Sequence, residues 1–175
     1  VSPDGTLLAA ASREEFTCLA EGTQVAAPSG PRAIEDLVVG DVVVGWDPER
    51  AEEVVTRVTE VRWRPSAQVV AVDDLLVTEG HLVEREGEWV AARELAVGDR
   101  LRRRGGRLRE VQELTPVAQP LTVFDLSVEH PHDFFANGVL VHNKTAPQPG
   151  PKDGWAFVFD RPPSEGWSTR KWWGP

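Results

Sequence analysis

The chain has 175 residues, 41% of them apolar and 27% charged, with a formal charge of −9. That size and apolar content suffice for one core-bearing domain without disulfides or metal. The acidic balance argues against nucleic acid or an anionic membrane as partner, since phosphate binding needs a basic surface. No apolar run approaches the ~20 residues that span a bilayer, and the lone cysteine, Cys18, excludes an internal disulfide and a multi-cysteine zinc site.

The opening VSPDGTLLAAAS has no cationic stretch before its short apolar run and reads poorly as a signal peptide. Residues 1–9 look like a propeller-blade strand and turn, too short to name a host. Residues 18–143 carry nearly all the β-type patterning. Strands are expected over 38–44, 53–59, 68–72 and 75–78, which are β-branched runs of strand length, and over 121–128, which alternates for much of its length. Asn137-Gly138 ahead of Val139-Leu140-Val141 is a hairpin signal. The basic run RLRRRGGRLR at 100–109 reads as a solvated hairpin rather than a binding stripe. No long amphipathic helix is evident, so the expected class is all-β. From Lys144 on, KTAPQPGPKDG reads as a linker, followed by a tail holding Trp155, Trp167, Trp172 and Trp173. The chain thus divides into a flank 1–17, a domain 18–143 and a flank 144–175.

A gapless repeat runs through the middle region at an offset of 58. Residues 20–43 lie over residues 78–101 with eight identities in 24 positions, among them Glu21/Glu79, Gly22/Gly80, Leu37/Leu95, Gly40/Gly98 and Asp41/Asp99. Two copies are too few for a solenoid; a duplicated β unit folded with pseudo-twofold symmetry fits. Each Val-Gly-Asp reads as a turn that enters a strand. The repeat brings Thr78 and His81 to the place equivalent to the segment just after Cys18.

Reactive groups stand at both ends of this unit: Cys18 before the first copy, and His142-Asn143 at the close. Cys18-Leu19-Ala20-Glu21-Gly22-Thr23, Thr78-x-x-His81, the stretch from Val123 to Gly138 and Val141-His142-Asn143 together resemble, in order, the sequence blocks of the Hint (hedgehog/intein) superfamily, and are most like its bacterial intein-like domains. The resemblance implies a compact pseudo-twofold all-β fold that cuts its own backbone. Cys18 would attack the carbonyl of Thr17 and turn the Thr17–Cys18 amide into a thioester, since a thiolate is a potent nucleophile even as a minor species. His81 would protonate the departing nitrogen as general acid. Thr78 would hydrogen-bond the scissile amide or the developing oxyanion, and Asp125 would tune the thiol or steer the acyl transfer, unless it is only a solvated strand carboxylate. At the far end the Asn143 side-chain amide would attack its own carbonyl and free the amine of Lys144, a reaction that depends on positioning. His142 would polarise the Asn143 carbonyl and His132 would shuttle the proton; His130 reads as a loop residue.

Splicing inteins place Cys, Ser or Thr after the final Asn, where this chain has Lys144. The expected outcome is therefore cleavage at both ends, with ligation minor or absent. A domain of residues 18–143 also leaves no space for an inserted endonuclease. The resemblance implies no cofactor and no metal, action in cis on its own chain as a monomer, and an external nucleophile (water, a thiol or an amine) acting on the thioester. Two other readings stay open at this point: a thiol hydrolase acting in trans through Cys18 and His81, and a processing-incompetent β module serving as a spacer or binding domain.

Overall fold

The computed structural model describes residues 17–66, 68–143 and 156–157. The blade-like start, Lys144, the Pro/Gly-rich stretch that follows it and the four tail tryptophans lie outside these residues. Regular structure among the described residues is β-strand apart from three short 3-10 turns at Ile34–Asp36, Ala92–Glu94 and Arg104–Gly106. None of it is a helix long and apolar enough to cross a membrane.

Two antiparallel sheets make the fold. The first joins β12 (Leu114–Val117), β6 (Val69–Val72), β7 (Leu75–Thr78), β1 (Leu19–Ala20), β13 (Leu121–Val128), β5 (Glu52–Ser66) and β16 (Ala156–Phe157) in that order, with β4 (Val42–Asp47) also paired to β5. The second runs β11 (Leu108–Glu110), β10 (Arg100–Arg102), β8 (Leu82–Arg85), β15 (Val139–His142), β14 (Asp133–Ala136), β2 (Gln24–Val25) and β3 (Arg32–Ala33), with β9 (Glu88–Ala91) on β8. Both chain ends of the domain thus become interior strands: β1 lies between β7 and β13, and β15 between β8 and β14.

The pseudo-twofold repeat is visible in its hydrogen bonds. Thr23 N–H donates to the Ala20 carbonyl at 3.1 Å, and His81 N–H to the Thr78 carbonyl at 3.0 Å. Ile34 N–H reaches Thr23 and Ala92 N–H reaches His81, at 2.8 and 2.9 Å. Asp41 and Asp99 carboxylates each accept the N–H three residues upstream, from Val38 and Ala96, both at 2.9 Å. The intervening Gly40 and Gly98 have φ of 100° and 99°, a left-handed conformation that costs a glycine nothing. Each Val-Gly-Asp is therefore a turn that enters a strand, as its sequence suggests.

Strand boundaries follow the same logic. Residues 75–78 and 121–128 form strands as patterned. The run at 38–44 does not: residues 38–41 are spent on the turn, Val39 points to solvent at 51% exposure, and β4 begins at Val42. The strand patterned at 53–59 runs on to Ser66, because its first half pairs with β4 and its second half with β13. Residues 100–110 do form a hairpin, β10–β11. Four of its arginines pair with acidic neighbours: Arg100 with Glu86 at 2.9 Å, Arg102 with Glu84 at 3.0 Å, Arg103 with Asp73 at 3.7 Å and Arg104 with Glu53 at 2.8 Å. The exposed pairs among these stabilise little, but they neutralise the first half of the run and leave Arg107 and Arg109 as its remaining exposed cations.

The main core gathers Leu19, Leu75, Val77, Phe124, Leu126 and Phe134 between the sheets. Burying a side chain such as Phe124 or Phe134 in full contributes roughly 1.5–3 kcal/mol each. A second cluster, Ala26, Val44, Trp46, Phe135 and Leu140, packs β4 against β14 and β15. Gly45 lets these strands meet, since a Cβ there would lie 2.5 Å from the Asp133 carbonyl oxygen.

Candidate functional site

Leu19 stands opposite Val77 on β7 and Phe124 on β13. One residue back along both registers, Cys18 is level with Thr78 on one side and Asp125 on the other. Cross-strand partners share a face, and Cys18 does pack beside Val123, two residues from Asp125 on that face. Asp125 is in turn opposite Arg62 on β5. Thr78, Cys18, Asp125 and Arg62 thus form one row across four strands, and all four are buried.

The β ladder changes at Cys18. Thr78 N–H donates to the Cys18 carbonyl at 3.0 Å in the ordinary way. The return bond is not made to the Thr78 carbonyl, which accepts His81 N–H instead. Cys18 N–H donates to Thr78 Oγ1 at 3.0 Å. The nitrogen of the Thr17–Cys18 peptide is therefore held by a side-chain hydroxyl that can rotate and either accept or donate.

His81 is buried among these groups. Loss of solvent, reinforced by the nearby His142 imidazole and opposed by the Thr17 backbone, brings its pKa down to about 3. The Thr17 backbone bears on the His81 ring nitrogens without closing a full hydrogen bond. At neutral pH the resting imidazole is uncharged, so it can deliver a proton only after receiving one.

Asp125 is not a solvated strand carboxylate. It is 3% exposed and ion-paired with Arg62, itself 3% exposed. An unpaired carboxylate in that position would take up a proton rather than stay charged.

At the other end, Asn143 is buried and held on two sides. Its Oδ1 accepts Val128 N–H at 3.0 Å, and its own N–H donates to the His132 carbonyl at 2.9 Å. A donor on Oδ1 favours negative charge on that oxygen, which is where charge gathers when the amide nitrogen gives up a proton. His132 packs under this site with Nδ1 3.0 Å from the Val128 carbonyl. His142 lies beside the Asn143 backbone; burial lowers its pKa first, with His132 adding to the effect and Asn143 opposing it. The edge of Trp89 packs on the His142 ring, with centroids 4.8 Å apart at 71°.

His81, which senses Thr17, is in electrostatic reach of His142, which senses Asn143 and His132. The fold thus brings together Thr17, Cys18, Thr78, His81, His132, His142 and Asn143, with Asp125 joined through the strand row. His130 stays exposed in the loop before β14, its ring 6.2 Å from that of His132. Lys144 lies outside the described residues. Three further residues belong to the site and carry no sequence signal of their own. Arg62 holds Asp125, Trp89 covers His142, and Asp133 sits opposite His142 on the β14–β15 pair. Asp133 accepts Trp46 N–H at 2.9 Å, yet burial pushes its pKa up to about 7, helped by Glu84 and Asp47. Among the described residues no group of three or more His, Cys, Asp or Glu is arranged to hold a metal.

A two-sheet all-β fold that buries a cysteine at one end of the domain, an asparagine at the other and a histidine, His81, between them is that of a self-processing Hint-class domain. The chain belongs to the pretoxin HINT domain family, whose model matches residues 24–144. It is similar to the bacterial intein-like domain from Clostridium thermocellum, at 28% identity over 73% of this chain and 99% of that one, with a TM-score of 0.68. The Ssp DnaB mini-intein variant M86 shares the fold at 17% identity and a TM-score of 0.65, covering 77% of this chain and 99% of its own. The gp41-1 intein does so at 24% identity and 0.59, covering 72% and 98%. No curated protein matches.

Proposed function

We propose that residues 18–143 cut the chain at both of their ends. The observation that carries this reading is the pair of bonds at the termini: Cys18 N–H on Thr78 Oγ1, and Asn143 Oδ1 under Val128 N–H. Each engages an atom whose electrons must shift in the reaction at that end. The family match begins at Gln24, downstream of Cys18, so the role of the thiol rests on this geometry.

In the first reaction Cys18 Sγ adds to the Thr17 carbonyl carbon and the C–N bond to Cys18 breaks. The thiol proton is passed on and Cys18 N gains one, so the shift is an isomerisation. His81, resting neutral, takes up the proton and delivers it to the nitrogen that Thr78 has aligned. Asp125 is the anion on the far side of the thiol. Water or a small thiol then releases residues 1–17 from the thioester.

In the second, Asn143 Nδ2 attacks the Asn143 carbonyl carbon, the peptide bond to Lys144 breaks and a succinimide closes. The Val128 N–H fixes the amide for attack, His142 polarises the carbonyl, and His132 takes the proton from Asn143 Nδ2 and passes it to the departing Lys144 nitrogen. Lys144 offers no side-chain acceptor for the acyl group, because its ammonium is a poor nucleophile. The two flanks separate rather than join.

A hydrolase acting in trans needs a thiol that other molecules can reach, whereas Cys18 is 0% exposed beneath its own chain. Intact-mass analysis of the purified chain over time, with and without dithiothreitol, tests the proposal. Fragments 1–17, 18–143 and 144–175 are expected. Cys18→Ala removes only the first cut and Asn143→Ala only the second. A wild-type chain that stays at full mass under both conditions overturns it.

A further inference from the structure

We propose that Arg62 is a positioning residue for the acyl shift at Thr17–Cys18, acting through Asp125; the inference rests on the self-processing reading above. It follows from the row Thr78–Cys18–Asp125–Arg62, four buried polar side chains level with one another on adjacent strands.

Arginine in the middle of a strand is costly to bury, and a core position 3% exposed is far more economically filled by an aliphatic side chain. The neighbours on its strand show how local the exception is. Val58 and Val61 are buried and apolar, as the core requires. On the β13 side Arg62 stands opposite Asp125, whose own neighbour across the next strand pair is the nucleophile, while on its other edge Arg62 faces Phe157 of β16.

The charge balance explains what the pair does. The face of β5 that carries Arg62 also carries Glu60 and Arg64, and β13 adds Ser127 beyond Asp125. Glu60 is half-buried, and its pKa is raised by desolvation and by Asp125, while Arg62 lowers it. Two carboxylates therefore compete for one buried guanidinium, and the direct ion pair goes to Asp125. The fixed positive charge keeps Asp125 an anion and sets the direction of its carboxylate along the row. An anionic Asp125 can take the Cys18 thiol proton as the C–S bond forms and release it to His81, which delivers it to the Cys18 nitrogen; a protonated one cannot. Arg62 touches no reacting atom, and its effect is confined to the end of the domain where its partner lies.

That confinement supplies the test, since the cut at Asn143–Lys144 reports on the fold within the same molecule. Both cuts are followed by intact mass in the full chain carrying Arg62→Met, Arg62→Lys, or Arg62→Met with Asp125→Asn. Arg62→Met should slow the dithiothreitol-driven cut at Thr17–Cys18 by about tenfold or more, within the range expected for disturbing one proton-transfer group. Arg62→Lys should recover part of the rate, and the cut at Asn143–Lys144 should stay within about twofold of wild type. The double variant carries the test if the single one fails to fold, because it removes both charges of the fully buried ion pair. It should keep the second cut and remain slow at the first. A double variant restored to the wild-type rate at Thr17–Cys18, or an Arg62→Met chain that folds but slows both cuts in parallel, overturns the inference and leaves Arg62 a packing residue. A wild-type chain that makes neither cut overturns the self-processing reading and this inference with it.

Discussion

Cys18 and Thr78 are joined by three hydrogen bonds, of which only one belongs to the β ladder; the Thr78 hydroxyl accepts the Cys18 N–H and donates to the Cys18 carbonyl. Because the Thr78 carbonyl is turned to His81 N–H, the Cys18 N–H must find the Thr78 hydroxyl instead. The Thr17–Cys18 amide is thus held by a group able, in the proposed reaction, to follow it from amide to amine to ammonium. A hydrogen bond to a charged group is worth ~1.5–3 kcal/mol, so Thr78→Val, close in shape, should slow the cut at Thr17–Cys18 roughly 10- to 100-fold. Thr78→Ser should retain most of the rate. Equal rates for the valine and serine variants, read by intact mass in an Asn143→Ala background, would remove Thr78 from the mechanism.

Trp89 covers the imidazole at the opposite end. The His142 pKa is lowered chiefly by burial, and the indole edge is part of what shields the ring. Trp89→Ala lets water in, so the His142 pKa should rise towards its ordinary value. The inflection that His142 contributes to the pH–rate profile of the Asn143–Lys144 cut should move to higher pH. In a Cys18→Ala background this cut can be followed alone. An inflection at the wild-type pH would show that Trp89 does not shield His142.

Asp133 links the site to the stability of the fold. Its pKa is raised by burial from 3.8 to about 7, so the folded chain binds a proton that the unfolded chain has released. A carboxyl raised in this way stabilises the fold fully below about pH 3.8, and that contribution is lost as pH climbs through about 7. His81 has the opposite sign, its contribution being present above pH 6.5 and lost as pH falls towards 3. Between pH 6 and 8 the carboxyl should therefore dominate. Asp133→Asn keeps an acceptor for Trp46 N–H without the charge. In a Cys18→Ala/Asn143→Ala background its Tm should vary less than the parent's over that range. Parallel Tm curves would place the titration elsewhere.

Much of the site can be read from the sequence because its residues stand at the ends of a duplicated unit. The offset of 58 matches Ala20 with Thr78 and Thr23 with His81, and the structure gives both pairs the same turn hydrogen bond. The two copies share a backbone; the second exchanges alanine and threonine for threonine and histidine at the positions that face the scissile peptide. Arg62 was not legible, because β5 alternates charge and valine (EEVVTRVTEVRWR) like a strand with one solvated face. Only the pairing with β13 shows that this face is covered. Trp89 reads as one more aromatic in a hairpin, and Asp133 as a turn residue before Phe134-Phe135. The strand expected over 38–44 failed for a related reason: valine marks β propensity in Val38-Val39, but the glycine and aspartate that follow fix a turn, and backbone hydrogen bonds outweigh propensity there.

The last residue of consequence is Lys144, and here the chemistry makes a gain of function testable. If the Cys18 thioester and the Asn143 carbonyl are near one another, an acceptor at position 144 lies within reach of the acyl group. The histidines suggest that they are, since His81 senses both Thr17 and His142, and His142 senses Asn143. Lys144→Cys and Lys144→Ser each supply a nucleophile at that position. The acyl chain of residues 1–17 would pass to the new side chain, the Asn143 cyclisation would free it, and an S–N or O–N shift would leave an ordinary peptide bond. A product joining residues 1–17 to 144–175 should appear by intact mass in these two variants. Cys18→Ala on top of either should abolish it. The thiol should outperform the hydroxyl, because thioester exchange between sulfurs is the easier transfer. If both variants only cut, as the lysine form is expected to, the absence of ligation has a geometric cause and the chemistry of residue 144 does not explain it.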